Sequence, residues 1–351
     1  METIEETLSS VVVLNHEPEF TENDTENFSA KYFILCEENL DSEFEGNIFE
    51  KDICGMSVLS WVKRACAADP VILKVKPSVD VLRLVKNYMG EEDFSVVLYA
   101  NTPLLNKQHL LDLLGFVSRR HMNACKLKKG YVFRNDYIQN VDEIYSIDTY
   151  DFASNDFFEI NTLADFEKAK SLLVSKVFDY HKRNGVYFEN EKTSMIDASV
   201  EVGYGTKFAS GVTVIENSKL DLGVVVQENA LIKNSKICEN VCVGEGAIII
   251  DSIIKSGAKV AAGAFVKGSV VGEEVDLKEK TVVIGSAIKE GAVVCECVKL
   301  VKAKVGKFAE VGALSNLCGK TVPVKVEEHT TLPAGSNVIE KVSSFADDGE
   351  E

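Results

Sequence analysis

Residues 96–105, Val-Val-Leu-Tyr-Ala-Asn-Thr-Pro-Leu-Leu, place Asn101 in a turn between a strand pattern and a helix pattern. In an α/β domain such a turn lies at the carboxyl end of a strand, where ligands bind. A carboxylate there could hold a divalent cation, whereas the neutral amide of Asn101 offers hydrogen bonds and no charge. The candidate proton carriers are His16, His109, His121, His181 and His329. None lies between Gly185 and Glu328, so that whole stretch lacks a histidine general base. Cys238/Cys242 and Cys295/Cys297 are closely spaced but have no companion histidines, and are expected as small core-compatible side chains instead of metal ligands. Arg119 and Arg120 read as cations at a helix end, and Trp61 as a core residue of the first helix.

The chain of 351 residues with 46% hydrophobic composition is long enough for two domains. A formal charge of -17 argues against nucleic acid and anionic membrane as partners, because binding a polyanion requires lysine and arginine to neutralise it. The opening Met-Glu-Thr-Ile-Glu-Glu-Thr-Leu is acidic, and the following Val-Val-Val-Leu is too short for a signal core or a membrane span. Nine scattered cysteines suit a reducing compartment, and a cytoplasmic location is expected.

The elements that would position Asn101 alternate between strand and helix. After an acidic extension, 1–30, strands are expected at 31–36, 70–75 and 94–100, with helices at 57–67, 78–89 and after Asn106. Such alternation implies parallel pairing in a small open α/β sheet, with further strands at Gly-Tyr-Val-Phe-Arg and Glu-Ile-Tyr-Ser-Ile. A long linker helix is expected over 162–185, ending at Gly185 as C-cap.

Beyond Gly185 a 17-residue period takes over. Leu220, Ile237, Ile254, Val271, Ile288, Val305, Val322 and Ile339 form one apolar column. Val226, Val243, Val260, Leu277, Val294 and Val311 form a second; Ile232, Ile249, Val266, Val283, Leu300 and Leu317 form a third. Val202, Phe208 and Val214 precede the columns by 18. Four positions after column residues come small or β-branched side chains suited to tight corners: Val224, Ala230, Val241, Ala247, Ala258, Ala264, Ala287 and Ala292. Three columns in phase mean three flat faces and a solenoid of stacked coils, a parallel β-helix built of hexapeptide repeats. About eight coils of roughly 4.8 Å would make a prism on the order of 40 Å long. The segment 343–351 is an acidic tail with too little apolar content to order itself.

An α/β domain, a long helix and a hexapeptide β-helix, in that order, resemble the bacterial bifunctional N-acetylglucosamine-1-phosphate uridyltransferase/glucosamine-1-phosphate acetyltransferase family. The densest likeness runs from Asn184 to Ile237. Tyr-Ala-Asn-Thr-Pro-Leu-Leu is similar to the family's Gly-Asp-x-Pro-Leu turn, and Lys-Lys-Gly-Tyr-Val-Phe-Arg-Asn-Asp-Tyr-Ile to its Asn-Thr-Gly-x-Tyr-x-Phe strand. Residues 159–169, Glu-Ile-Asn-Thr-Leu-Ala-Asp-Phe-Glu-Lys-Ala, resemble the end of its transferase domain, and Asn161 falls where the family helps hold magnesium. Lys267 and Lys302 fall where it binds sugar phosphate. The resemblance implies a left-handed β-helix and a trimer packed through it.

The departures are coordinated. The family's Gly-x-Gly-Thr-Arg-Met phosphate loop is replaced by residues 37–47, which offer Glu37, Glu38, Asp41, Glu43 and Glu45, a single glycine and no cation. Asn101 stands where the family has its metal-binding aspartate, and Ala313 and Asn316 where it has a catalytic histidine and tyrosine. The sequence therefore reads as α/β plus all-β. A degenerate nucleotidyltransferase-like domain spans 31–161, a linker helix 162–185, a left-handed β-helix of 17-residue coils 186–342, and a tail 343–351. The expected function is that of a trimeric binding, regulatory or scaffold protein that has lost both activities, with Asn101, Asn161, Lys267 and Lys302 as retained contacts. No catalytic residue, metal or cofactor is expected. The partners are a second and third copy of the chain, with a sugar phosphate, a nucleotide sugar or another protein left open. The alternative is a divergent active UDP-N-acetylglucosamine pyrophosphorylase or sugar N-/O-acetyltransferase; only then would magnesium and acetyl-CoA be needed.

Overall fold

The computed structural model describes residues 28–37, 46–144, 147–152 and 157–339. Almost all of the acidic extension, His16, most of the 37–47 loop and the tail lie outside the described residues. The chain divides into two compact units, with the boundary between Ser175 and Lys176.

The α/β unit is built on a mixed six-stranded sheet. Its strands are β1 (Ala30–Glu37), β2 (Val71–Val75), β3 (Phe94–Tyr99), β4 (Ala124–Leu127), β5 (Gly130–Arg134) and β6 (Asp148–Thr149), in spatial order β2-β1-β3-β5-β4-β6. β1 pairs parallel with β2 and β3, as strand–helix alternation predicts. The β4–β5 hairpin adds antiparallel strands that the all-parallel expectation missed. The last strand is Asp148–Thr149 and not Glu143–Ile147, whose Tyr145 and Ser146 lie outside the described residues. Every residue of β3 is buried, which is why it reads as a continuous apolar run and not as an alternation.

Helices α1 (Val58–Ala65), α2 (Val81–Tyr88) and α3 (Lys107–Arg119) start where polar caps dictate. Ser57 accepts from the Ser60 amide, Asp80 from Arg83, and Asn106 forms a reciprocal capping box with His109. His109 is thereby a capping residue, and His121 occupies a left-handed position (φ 52°) just past α3. Trp61 is half-buried and donates from its indole to the Ile53 carbonyl. Arg120 lies over the Phe116 ring, 4.7 Å from its centroid.

Helix α4 (Leu163–Arg183) crosses the boundary between units and ends at Gly185, whose φ of 78° is open to glycine. A Cβ there would collide with the Tyr204 ring. In the second unit, Phe178 packs edge-on against Phe188, which stacks on Phe208 of the first coil.

The second unit is a left-handed parallel β-helix with three faces. The first face runs from Met195–Ile196 to Asn337–Ile339 in nine strands, the second from Glu201–Val202 to Val324–Val326 in eight, and the third from Tyr187–Phe188 to Thr331–Leu332 in nine. The second and third apolar columns face inward and are buried at every position. Each strand holds only two or three residues, so stability comes from stacking, with each buried Val, Ile or Leu contributing about 1.5–3 kcal/mol.

The first column departs from the expected period at its end. Val305 is followed in register by Val326, not Val322, which is 60% exposed, because residues 319–322 enlarge one corner. Ile339 pairs with Cys318 on the first face and is exposed instead of joining that column. Ala287 lies in a strand, half-buried, where the short corner of the 17-residue coil leaves no room for a separate corner residue.

That short corner explains the recurring serine. Four successive coils turn from first to second face through one left-handed residue, Asn234, Asp251, Gly268 and Gly285, each followed by a buried serine. Oγ of Ser235, Ser252, Ser269 and Ser286 donates to a carbonyl two residues back at 2.7–2.8 Å. The same oxygen accepts the amide of the next coil, at 3.1 Å from Ser252 to Ser235, 3.2 Å from Ser269 to Ser252 and 3.1 Å from Ser286 to Ser269. An N–H that the abrupt turn would orphan is satisfied by its neighbour's hydroxyl.

Candidate functional site

β1 leads to β2 on one side, and the chain then returns to β3 on the other. The carboxyl ends of β1 and β3 therefore flank a topological switch point, the preferred ligand position in an open α/β sheet. Glu37 ends β1; Tyr99, Ala100 and Asn101 follow β3. The β4–β5 hairpin folds against the same end, where the Gly130 backbone (φ 132°) passes so close to the Val97 carbonyl that a Cβ would clash. This delivers Lys129.

Lys129 fills the crevice. Its Nζ lies 3.0 Å from Glu37 Oε2, donates to Glu159 Oε1 at 2.8 Å, and sits 5.0 Å from the centroid of the Tyr99 ring. All three charged side chains are largely buried. Burial pulls the Lys129 pKa down, but the hydrogen bonds and charges of Glu159 and Glu37 outweigh it, leaving the ammonium above its ordinary value. Burial, with the Glu37 carboxylate behind it, pushes the Tyr99 phenol up to about 12, so it stays protonated. Among the described residues, the recess between Leu35, Phe49, Asn101 and Lys129 measures about 20 Å³, room for a water molecule. The 37–47 loop itself holds no cation, as its sequence shows; the hairpin supplies Glu37 with one from 92 residues away, a pairing that no local pattern discloses.

Asn101 and Asn161, paired on resemblance, are neighbours in space. Asn101 Nδ2 donates to the Ile160 carbonyl at 3.1 Å and to Asn161 Oδ1 at 3.4 Å, while the Ile160 amide donates back to the Asn101 carbonyl at 2.9 Å. The adjoining turn is a capping box: Asp165 Oδ2 accepts from the Thr162 amide at 3.0 Å and from Thr162 Oγ1 at 2.9 Å, and the Asp165 amide donates to Thr162 Oγ1. These residues do not fit magnesium. Two neutral amides engaged with each other are poor ligands, and the nearby carboxylates of Glu37 and Glu159 are neutralised by Lys129.

In the β-helix unit, Lys267 is exposed at the end of a first-face strand, with Ile284 and Val301 above it in register. Lys302 follows Val301 at the corner in a left-handed conformation (φ 46°), and its Nζ donates to the Lys320 carbonyl at 2.8 Å. Ala313 uses its carbonyl to accept the Gly335 amide, and Asn316 Nδ2 donates to Asn337 Oδ1 at 3.1 Å. His329 is exposed and stacks on Phe308. The only buried histidine among the described residues is His181, whose Nδ1 has no hydrogen-bond partner. Cys242 and Cys297 are exposed, contrary to the expectation of core side chains, because one points outward from a strand and the other sits at a corner. Among the described residues no group of three His, Cys, Asp or Glu is placed to hold a metal, and no helix is long and apolar enough to cross a membrane.

The parts and their order define a class by architecture: an open α/β unit followed by a hexapeptide β-helix. Over part of its length the chain is similar to bifunctional GlmU proteins. It is 24% identical to the bifunctional protein GlmU of Thermodesulfovibrio yellowstonii over 234 residues, which is 65% of this chain and 49% of that protein. It is 28% identical to GlmU of Clostridium botulinum over 95 residues, 27% of this chain and 20% of that one. The longer match thus spans about half the length of the relative. Among solved structures, a CMP:2-keto-3-deoxy-manno-octonic acid synthetase complexed with CTP matches at TM-score 0.34 and 13% identity, covering 42% of this chain and 99% of that one. No family model matches the chain.

Proposed function

We propose that this GlmU-like chain has lost nucleotidyl and acetyl transfer and works in the cytoplasm as a trimeric binding, regulatory or scaffold protein. The observation that carries the reading is the Glu37–Lys129–Glu159 network seated in the switch-point crevice beside Asn101 and Asn161. Nucleotidyl transfer depends on cations neutralising phosphate charge. Here the cation that lines the crevice among the described residues, Lys129, is spent on two carboxylates. The outward residues of the first face support self-association: Leu231, Ile248, Phe265 and Val282 form an unbroken apolar row on successive strands, flanked by Ile250 and Ile284 with Lys267 between them.

The alternative, a divergent active pyrophosphorylase or acetyltransferase, draws support from the adjacency of Asn101 and Asn161. Turnover assays decide between them. Purified protein with UTP, N-acetylglucosamine 1-phosphate and Mg²⁺, or with acetyl-CoA and glucosamine 1-phosphate, is expected to give no product above the enzyme-free rate. Sustained product formation that scales with protein concentration would establish the alternative.

A further inference from the structure

The Glu37–Lys129–Glu159 cluster has the layout of a cation site more than that of a simple ion pair. Three separate elements meet at one point: Glu37 at the end of β1, Glu159 in the segment before α4, and Lys129 in the turn between β4 and β5. The two carboxylates approach that point from opposite partners at 3.0 and 2.8 Å, on side chains only 24% and 19% exposed. The Tyr99 ring, its centroid 5.0 Å from Nζ, adds a π face that also favours positive charge. One ammonium against two carboxylates leaves one negative charge, which a divalent ion would balance and lysine does not.

Oxygen ligands hold Ca²⁺ at about 2.3–2.6 Å. Each carboxylate would therefore move in by roughly half an ångström from its place around Nζ. The recess of about 20 Å³ beside Lys129 has room for one water to add to the coordination. We propose that the Lys129 ammonium holds the position of a divalent cation between Glu37 and Glu159, a built-in counter-ion that makes the crevice independent of metal. Truncating the side chain then uncovers a site for a hard divalent cation. Its ligands are Glu37 and Glu159, not the Asn101 and Asn161 amides, which are engaged with each other. The inference rests on the reading of this crevice as closed in the wild-type chain, but its test is metal binding by a variant and not turnover, so the two can fail separately.

Tb³⁺ luminescence excited through tyrosine tests it in the full chain, because a lanthanide at this position lies close to the Tyr99 ring. Lys129→Ala should bind one Tb³⁺ per chain more than the wild type, displaceable by Ca²⁺. Adding Tyr99→Phe should dim that extra signal several-fold. Ca²⁺ should raise the melting temperature of Lys129→Ala relative to the wild type by a few degrees, on the order of 2–4 °C. If Lys129→Ala does not fold alone, Ca²⁺ should restore the circular dichroism of its α/β unit. Lys129→Met, whose side chain still fills the place, should gain no site, and neither should Lys129→Ala combined with Glu37→Gln and Glu159→Gln. Equal Tb³⁺ counts in Lys129→Ala and the wild type, with no stabilisation or refolding by Ca²⁺, would overturn the proposal. So would rescue by ethylammonium and not by Ca²⁺, which would mark a site for an ammonium alone, or a Tb³⁺ gain that persists in the triple variant. Product formation by the wild-type chain would instead overturn the proposed loss of activity and leave the metal result standing.

Discussion

Lys129 Nζ lies 2.8 Å from Glu159 Oε1 across the mouth of the crevice between β1 and β3, with Glu37 completing the cluster at 3.0 Å. A nucleotide-binding sheet exposes cations and amide groups at that position; here the cation is already engaged.

Lys129→Met leaves two largely buried carboxylates facing each other without a counter-charge. A loss of about 3 kcal/mol is expected in the urea unfolding of the α/β unit, the scale seen when one partner of a buried pair is removed. Adding Glu37→Gln and Glu159→Gln to the same chain should restore most of it. Because the folded Lys129 pKa is raised, its contribution is complete below the unfolded value near 10.5 and fades as pH climbs through the folded one. A single variant as stable as wild type would show the cluster to be incidental.

His181 is buried and burial drives its pKa down to about 4. The unfolded chain takes up a proton near pH 6.5 and the folded chain resists it, so stability is full above that pH and falls between 6.5 and 4. The ceiling on the effect is roughly 3 kcal/mol. His181→Leu should flatten the dependence of the urea midpoint on pH in this window; a curve parallel to wild type would place the acid sensitivity elsewhere.

Ser252→Ala removes the acceptor of the Ser269 amide and a donor to the Ile250 carbonyl in one step. An orphaned buried amide costs about 1–3 kcal/mol, and hydrogen exchange at Ser269 should accelerate while distant coils stay protected. Unchanged exchange would mean that another group takes over the bond.

Phe265→Asp places a charge in the middle of the apolar first face without touching the inward Val266. Native mass spectrometry is expected to show trimer for the wild type and monomer for the variant, with the β-helix still folded by circular dichroism. A trimer that survives the substitution would assign the interface to another face.

The β-helix was legible because three apolar columns must stay in phase along many coils, and Val226 to Val311 do so without a break. The rule failed at Val322, where a corner insertion of four residues shifts the phase and no local residue type announces it. The serine column went unread in the sequence, because its meaning depends on the left-handed residue before it, which only the backbone reveals. In the α/β unit, the Asn101–Asn161 adjacency could be reached through resemblance. Lys129 could not. It sits in a two-lysine turn that reads as a solvated hairpin, and only the antiparallel return of β5 beside β3 carries it into the crevice.

The most direct test is a thermal-shift titration of UTP, with and without Mg²⁺, on the wild-type chain and on Lys129→Met. A ligand at a hundred times its dissociation constant adds about 2.7 kcal/mol to apparent stability, well within detection. We expect no Mg²⁺-dependent shift for the wild type at any UTP concentration tested. A saturable Mg²⁺-dependent shift of the wild-type protein would contradict the closed crevice and return the chain to the enzymes.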